Sequence, residues 1–236
     1  MRYLLKFTKD KDIRFVAHLD IMRSIQRSIK RAGIPIEYSK GFNPHMTMSI
    51  AQPLSVGVYS YGEYMDLNLK EELDEKTIME KFNECSPIGI KVTGVLKIEN
   101  QYYEDGKKVP QAMAALDGAE YTIKIKYNDT ASLDSEMKEM MKNAQWNALK
   151  KSKKEEKLVN IRPMVKSLNY KIEQDTLIVN TLVSCGSREN LSAELLAQYI
   201  TSNTENAKQD SFTDVKREDL YALKNKKMVP LINYFK

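Results

Sequence analysis

The chain has 236 residues, 42% of them apolar and 29% charged, with a net charge of +5, enough for one large domain or two small ones and ordinary for a globular protein. No apolar stretch nears the roughly 20 residues that span a bilayer and no signal-like apolar region opens the chain, so the expected location is the cytoplasm, with no membrane partner. The charge is uneven: residues 1–45 hold ten Lys/Arg against four Asp/Glu, the rest 27 against 28, which favours an anionic partner near the start of the chain.

In chain order, "RYLLKFTK" alternates as a strand with Tyr3, Leu5 and Phe7 on one face. A helix follows through "LDIMRSIQRSIKRAG", with a buried stripe of Leu19, Met22, Ile25 or Gln26, and Ile29, and a stop at Gly33. "IPIEYS" and "MTMSIAQ" read as extended, and "GEYMDLNL" as an alternating strand. "LDEKTIMEKFNECS" predicts a helix with Asp74 as N-cap and Pro87 just past its end, and "IGIKVTGVLKIE" a closing strand. The order is β-α-β-β-α-β, a ferredoxin-like unit over residues 1–99.

Residues 100–117 have no steady period and read as a connector. The pattern then repeats over 118–236. "AEYTIKIKY" predicts a strand and "SLDSEMKEMMKNAQWNALKK" one long helix, whose end carries the lysine-rich run Lys150–Lys157. "KLVNIRPMVKSLNYKIE" and "TLIVNTLVSC" predict a hairpin around Glu173–Thr176; "LSAELLAQYITSN" predicts a helix and "FTDVKREDLYAL" a last strand. The expected fold is α+β: two tandem ferredoxin-like βαββαβ domains with antiparallel sheets and helices on one face.

Several chemistries are excluded by their missing motifs. There is no phosphate-cradling or dinucleotide glycine loop, no HExxH and no GxSxG. Cys85 and Cys185 are far apart with no CxxC, so they read as reduced thiols and not as zinc or cluster ligands. No cofactor and no metal is expected; a weak site of His18, Asp20 and His45 is the one formal exception.

The positive signals lie early in the chain. Arg23, Arg27, and Lys30 or Arg31 recur at helical spacing as a basic stripe, with Arg2 and Lys6 adding charge on the first strand. Such spacing can follow a phosphate backbone. Phe42, with Tyr38, Tyr59, Tyr61 and Tyr64, surrounds a loop at Gly41 and suits stacking on unpaired bases. The only histidines, His18 and His45, both lie in polar stretches here. If "IPIEYS" is the second strand, Lys40–His45 emerges at the sheet edge where His18 lies, Lys40 adding a cation, and Arg14, His18, Asp20, Asn43 and His45 converge there, with His18 and His45 as candidate acid and base. If "MTMSIAQ" is that strand, His45 is carried away from His18. A secondary anion site is read in Arg162, fixed before Pro163, and Ser187 and Arg188 before the last helix. Capping by Asn190 or Ser192 is the plainer reading of that loop.

With "RYLLKFTKDKDIRFVAHLDIMRSIQRSIKRAGIPIEYSKGFNPHMTMSIAQPLSVGV" in view, the chain resembles the uncharacterised radical-SAM-linked protein family, most strongly over residues 1–70. Weaker similarity continues through "NIRPMV", "GSRENLSAELL" and "VKREDLYAL". Members of that family are encoded beside, or fused to, a radical SAM protein, in neighbourhoods that include a ribonuclease and ribosomal proteins. The resemblance implies an accessory protein in RNA or ribosome metabolism, with RNA and a radical SAM protein as partners and no established catalytic residue. Where members commonly have serine this chain has Ala17, so the capping box with Asp20 is missing. The alternatives are a metal-independent ribonuclease-like enzyme using His18 and His45, or a protein–protein adaptor.

Overall fold

The computed structural model describes residues 1–100, 102–104, 106–151 and 156–236. The chain divides into two units: Met1–Asp117 with Arg217–Lys236, and Gly118–Lys216. The last twenty residues, assigned by sequence to the second domain, therefore belong to the first unit.

The first unit runs β1 (Arg2–Lys9), α1 (His18–Arg31), β2 (Met48–Ile50), β3 (Tyr59–Asn68), α2 (Glu75–Cys85), β4 (Ile90–Ile98) and a short α3 (Ala112–Ala115). β1 pairs antiparallel with β4 on one side and β3 on the other, and β2 pairs antiparallel with β3 through Met48–Leu67 and Ile50–Met65. The strand after α1 is thus drawn from "MTMSIAQ"; "IPIEYS" contributes only the isolated bridges Ile36–Leu69 and Tyr38–Met46. Proline at 35 and the absence of a continuous partner for 34–39 keep that segment from becoming a strand.

Tyr3, Leu5 and Phe7 of β1 meet Ile21, Ile25 and Ile29 of α1 and Ile78 and Phe82 of α2 in one core. Each such side chain stabilises by about 1.5–3 kcal/mol on burial. The helix faces the sheet one step around from the predicted stripe: Ile21 is buried, whereas Leu19 is 65% exposed. Leu4 is also fully buried, so β1 is covered on both faces and is not the half-exposed strand its alternation suggests. α2 is capped as predicted, with the Asp74 carboxylate accepting from the Thr77 N–H at 3.0 Å.

In the second unit β5 (Leu116–Lys126, its first two residues in the first unit) is followed by α4 (Leu133–Lys142), β6 (Asn147–Lys151), β7 (Glu156–Asn160), β8 (Val165–Glu173), β9 (Thr176–Ser184) and α5 (Ala193–Ser202). β9 pairs antiparallel with β5 and β8, and the β8–β9 turn falls at the predicted Glu173–Thr176, with Gln174 in left-handed backbone (φ 52°). The predicted long helix is corrected here. It stops at Lys142, and "NALKK" pairs with "EKLVN" as a separate hairpin. Trp146 ends the helix: its indole N–H donates to the Met140 carbonyl at 3.1 Å and its ring stacks on Tyr199. Lys150, Lys151 and Lys157 of the lysine run therefore stand in the strands of the β6–β7 pair and not at a helix C-terminus; residues 152–155 lie outside the described residues.

β10 (Asp214–Lys224) begins in the second unit and, from Arg217, returns the chain to the first, followed by β11 (Lys227–Pro230) and α6 (Leu231–Tyr234). The first unit's sheet thus has the order β4-β1-β3-β10, with β11 on β10 and β2 on β3. Gly62 makes the β3–β10 approach possible: a Cβ there would lie 2.5 Å from the Glu218 carbonyl oxygen and 2.6 Å from Asp219 Cα. Asp219 then accepts from both Lys6 Nζ (2.6 Å) and the Tyr64 hydroxyl (2.7 Å). Both units are mixed α+β, with β1 antiparallel to β3 and β4, β2 to β3, β10 to β11, and β9 to β5 and β8.

Candidate nucleic-acid interface

Burying Ile21, Ile25, Ser28 and Ile29 turns the opposite face of α1 to solvent, and Arg23, Arg27, Lys30 and Arg31 stand exposed on it. Their fixed contacts are light. Arg23 pairs with Asp20 at 3.0 Å with both groups more than half exposed, Arg27 donates to Ser24 Oγ, and Arg31 donates to the Cys85 carbonyl at 2.7 Å. An exposed i,i+3 pair is worth a few tenths of a kcal/mol, so these cations can reorient toward an incoming anion. Ala17 supplies no side-chain cap, and Asp20 serves Arg23 and no backbone N–H of the first turn that a capping box would use.

The Gly41 loop is a closed hairpin tip. Ser39 N–H donates to the His45 carbonyl (2.8 Å), His45 N–H donates to Ser39 Oγ (3.1 Å), and Ser39 Oγ meets His45 Nδ1 at 2.9 Å. Beyond that clasp Phe42 is fully exposed, between exposed Lys40 and Asn43. Of the aromatics read around this loop, Tyr38 and Tyr61 are part-exposed, but Tyr59 and Tyr64 are buried and are not available for stacking.

The two histidines are not neighbours. His18 lies at the end of the sheet where β1 finishes, lining a cavity of about 10 Å³ with Phe7, Lys9, Ile21, Ile50, Leu54 and Glu63, room for about one water. His45 lies at the other end: its hairpin stem bonds Asn68 through Glu37 and Thr47, and Asn68 pairs with Arg2. The length of β1, roughly 20 Å at ~3.3 Å per residue, separates the two ends. Arg14 and Asp20 stay near His18, Lys40 and Asn43 near His45, so the predicted convergence does not form. A relay between the imidazoles, which needs contacts of about 2.6–3.2 Å, has no geometry here. The register of β2 is the reason.

The His18 end holds a buried charge cluster that sequence reading missed. Arg217 Nη1 meets both Glu63 carboxylate oxygens at 2.9 and 3.0 Å, and both side chains are 3% exposed. Lys9, 3% exposed, donates to the Arg14 carbonyl at 2.9 Å. Burial pushes the Glu63 carboxyl up, against the pull of Arg217, and pushes the Lys9 ammonium down, against the pull of Glu63. At the other end Arg2 Nε pairs with Asp66 at 2.7 Å, and burial raises that carboxyl too. The sequence signal was slight: two acids inside a strand otherwise rich in large apolar residues.

In the second unit Arg162 lies 4.9 Å over the Trp146 ring, which occupies its guanidinium face. Ser187 and Arg188 are exposed before α5, whose N-terminus is capped by Ser192, its hydroxyl accepting from Leu195 N–H at 3.2 Å. The capping reading of that loop holds. Both cysteines are free thiols. Among the described residues no three His, Cys, Asp or Glu side chains gather as metal ligands, and no helix is long and apolar enough to cross a membrane.

A family model described as "Uncharacterized protein conserved in bacteria (DUF2344)" matches residues 2–193. No curated protein matches the chain. Among solved structures it is similar to a chain in one described as "Crystal Structure of a Cbf5-Nop10-Gar1 Complex", at 11% identity and a TM-score of 0.51. The match covers 92% of this chain and 48% of that one, so this chain spans about half the length of its match, and the likeness is one of fold. A structure described as an unknown protein from Galdieria sulphuraria matches at 10% identity over 97% and 98% of the two chains, with a TM-score of 0.24.

Proposed function

The chain belongs to the bacterial family DUF2344, and for it we propose an RNA-binding or substrate-presenting accessory role beside a radical SAM enzyme in RNA or ribosome metabolism. The observation that carries RNA binding is the face of α1: Arg23, Arg27, Lys30 and Arg31 exposed, against one acid, Asp20, in the same helix. Cations four residues apart on a rigid helix can each neutralise a phosphate and release its counterion, which supplies affinity without sequence preference. The other helices of comparable length lack this excess; α2 and α4 each carry three acids against two lysines. The radical SAM partnership rests on the resemblance of residues 1–70 alone. The cytoplasm is the compartment consistent with both partners.

The architecture supports a ferredoxin-like reading of the first unit, since the chain order β-α-β-β-α-β comes with antiparallel β4-β1-β3 and β2 on β3. The second unit repeats the first five elements of that order with the β6–β7 hairpin inserted after its first helix, while the closing strand β10 passes into the first unit at Arg217.

Fluorescence anisotropy with a labelled RNA hairpin tests the reading. Arg23→Glu with Arg27→Glu is expected to weaken binding by about two orders of magnitude at low salt and to flatten the salt dependence. Equal affinity and equal salt slope for parent and variant would reduce α1 to a solvated face.

A further inference from the structure

The end of the first unit's sheet that carries His45 holds a cleft of about 310 Å³, bordered by Arg2, Glu37, Asp66, Asn68, Pro110 and Gln111. We propose that this cleft receives a single unpaired nucleobase of the bound RNA; the inference rests on the RNA reading above and names the form of RNA recognised.

The cleft is built by buried polar contacts. Arg2 donates to Asp66 Oδ1, to the Val109 carbonyl at 3.2 Å and to the Pro110 carbonyl at 2.6 Å, while Asp66 Oδ2 accepts from Ala112 N–H at 2.7 Å. These bonds tie the 109–112 segment to the sheet and leave the floor, Asp66, 4% exposed. Arg2 and Asp66 neutralise one another in the floor, so the floor itself selects a polar and not a charged occupant. The side-chain amides of Asn68 and Gln111 each present a donor and an acceptor, which matches the mixed edge of a nucleobase. Ile98, Val109 and Pro110 supply apolar wall, and the volume is at the lower end of the about 300–1,000 Å³ of small-molecule sites.

The neighbouring hairpin supplies a second, separate observation. Glu37 in its stem borders the cleft, and its tip, clasped by Ser39 and His45, holds Phe42 fully in solvent next to Lys40. An exposed aromatic on a rigid loop with a cation beside it is a platform on which an unpaired base stacks. α1 is joined to this hairpin by a short link, since the chain leaves Arg31 and reaches the Ile36–Leu69 bridge five residues later. Backbone binding by α1 and base capture at the cleft therefore fall in one unit.

The test compares a blunt-ended, fully paired RNA duplex with the same duplex carrying one bulged nucleotide, using the full chain. The parent is expected to bind the bulged RNA about tenfold tighter. Asn68→Ala with Gln111→Ala, and separately Phe42→Ala, should remove that preference and leave affinity for the fully paired duplex unchanged; Arg23→Glu with Arg27→Glu should weaken both equally. A 4-thiouridine at the bulge should crosslink to residues 108–111 or Phe42, a readout on the parent that does not depend on the variants folding. Equal parent affinity for the two RNAs overturns the cleft alone, as does a preference that survives both sets of variants or a crosslink elsewhere. Failure to bind either RNA overturns the RNA reading and the cleft together.

Discussion

The two ends of β1 and β3 solve one problem in opposite ways. Each end buries an acid of β3 on an arginine, Glu63 on Arg217 and Asp66 on Arg2. At the Lys9 end the pair is sealed: both side chains are 3% exposed and the adjoining cavity has room for about one water. At the Arg2 end the arginine is 14% exposed and spreads its donors over a loop, leaving the 310 Å³ cleft open beside it. A buried pair closed on itself is architecture, whereas the same pair turned outward becomes the floor of a site.

The largest expected effect breaks the sealed end. Arg217→Ala leaves Glu63 buried without its counter-charge and should cost about 3–5 kcal/mol in urea unfolding. Glu63→Leu combined with Arg217→Met, which removes both charges, should recover most of that loss. A loss confined to a few tenths would mean that the pair is far wetter than its burial indicates. At the open end Arg2→Ala should cost less, about 1.5–3 kcal/mol, and should also raise proteolytic cleavage within 106–112, the segment that Arg2 holds.

The pH dependence sharpens the same contrast. Both carboxyls are raised by burial, Glu63 from 4.5 and Asp66 from 3.8. The folded chain therefore holds these protons more tightly than the unfolded one. The stability this contributes is full below those ordinary values and is lost as pH rises through the folded ones. Lys9, lowered from 10.5 by burial, has the opposite slope, adding stability as pH rises through the window beneath 10.5. Urea midpoints should thus fall from about pH 4.5 upward, and the fall should shrink in the Glu63→Leu, Arg217→Met variant, leaving the part due to Asp66. The smallest effect belongs to the loop: Ser39→Ala should change stability by no more than about 0.5 kcal/mol, yet speed hydrogen exchange at the His45 amide, whose acceptor is Ser39 Oγ.

What the sequence made legible was local. The Asp74 cap, the turn at Glu173–Thr176 and the cationic face of α1 each follow from residues within a few positions of one another, and each is in place. The overrun of α4 has a physical cause: "MKNAQWNALKK" has good helix formers throughout, but Trp146 gains more by stacking on Tyr199, 53 positions away, than the helix gains by continuing. The register after α1 was open in the sequence because two extended segments followed it, and only pairing with β3 selects Met48–Ile50. Of the candidate sites, exposed residues such as Arg23 and Phe42 were readable one by one. The cleft and the Glu63–Arg217 pair were not, because their parts lie up to 154 residues apart and no periodicity links them.

The division of the first unit into Met1–Asp117 and Arg217–Lys236 has a temporal consequence. A ribosome adding about 5–20 residues per second takes about 5–20 s to pass from Asp117 to Arg217, and through that interval Glu63 has no arginine and β3 has no β10. The nascent first unit must wait in a half-covered state, with the Gly62 stretch of β3 open as a strand edge. Its final closure is a long-range event, slow by its contact order, and is gated by completion of the second unit's chain. Maturation is thereby timed by translation itself: the edge of β3 is synthesised early and covered last.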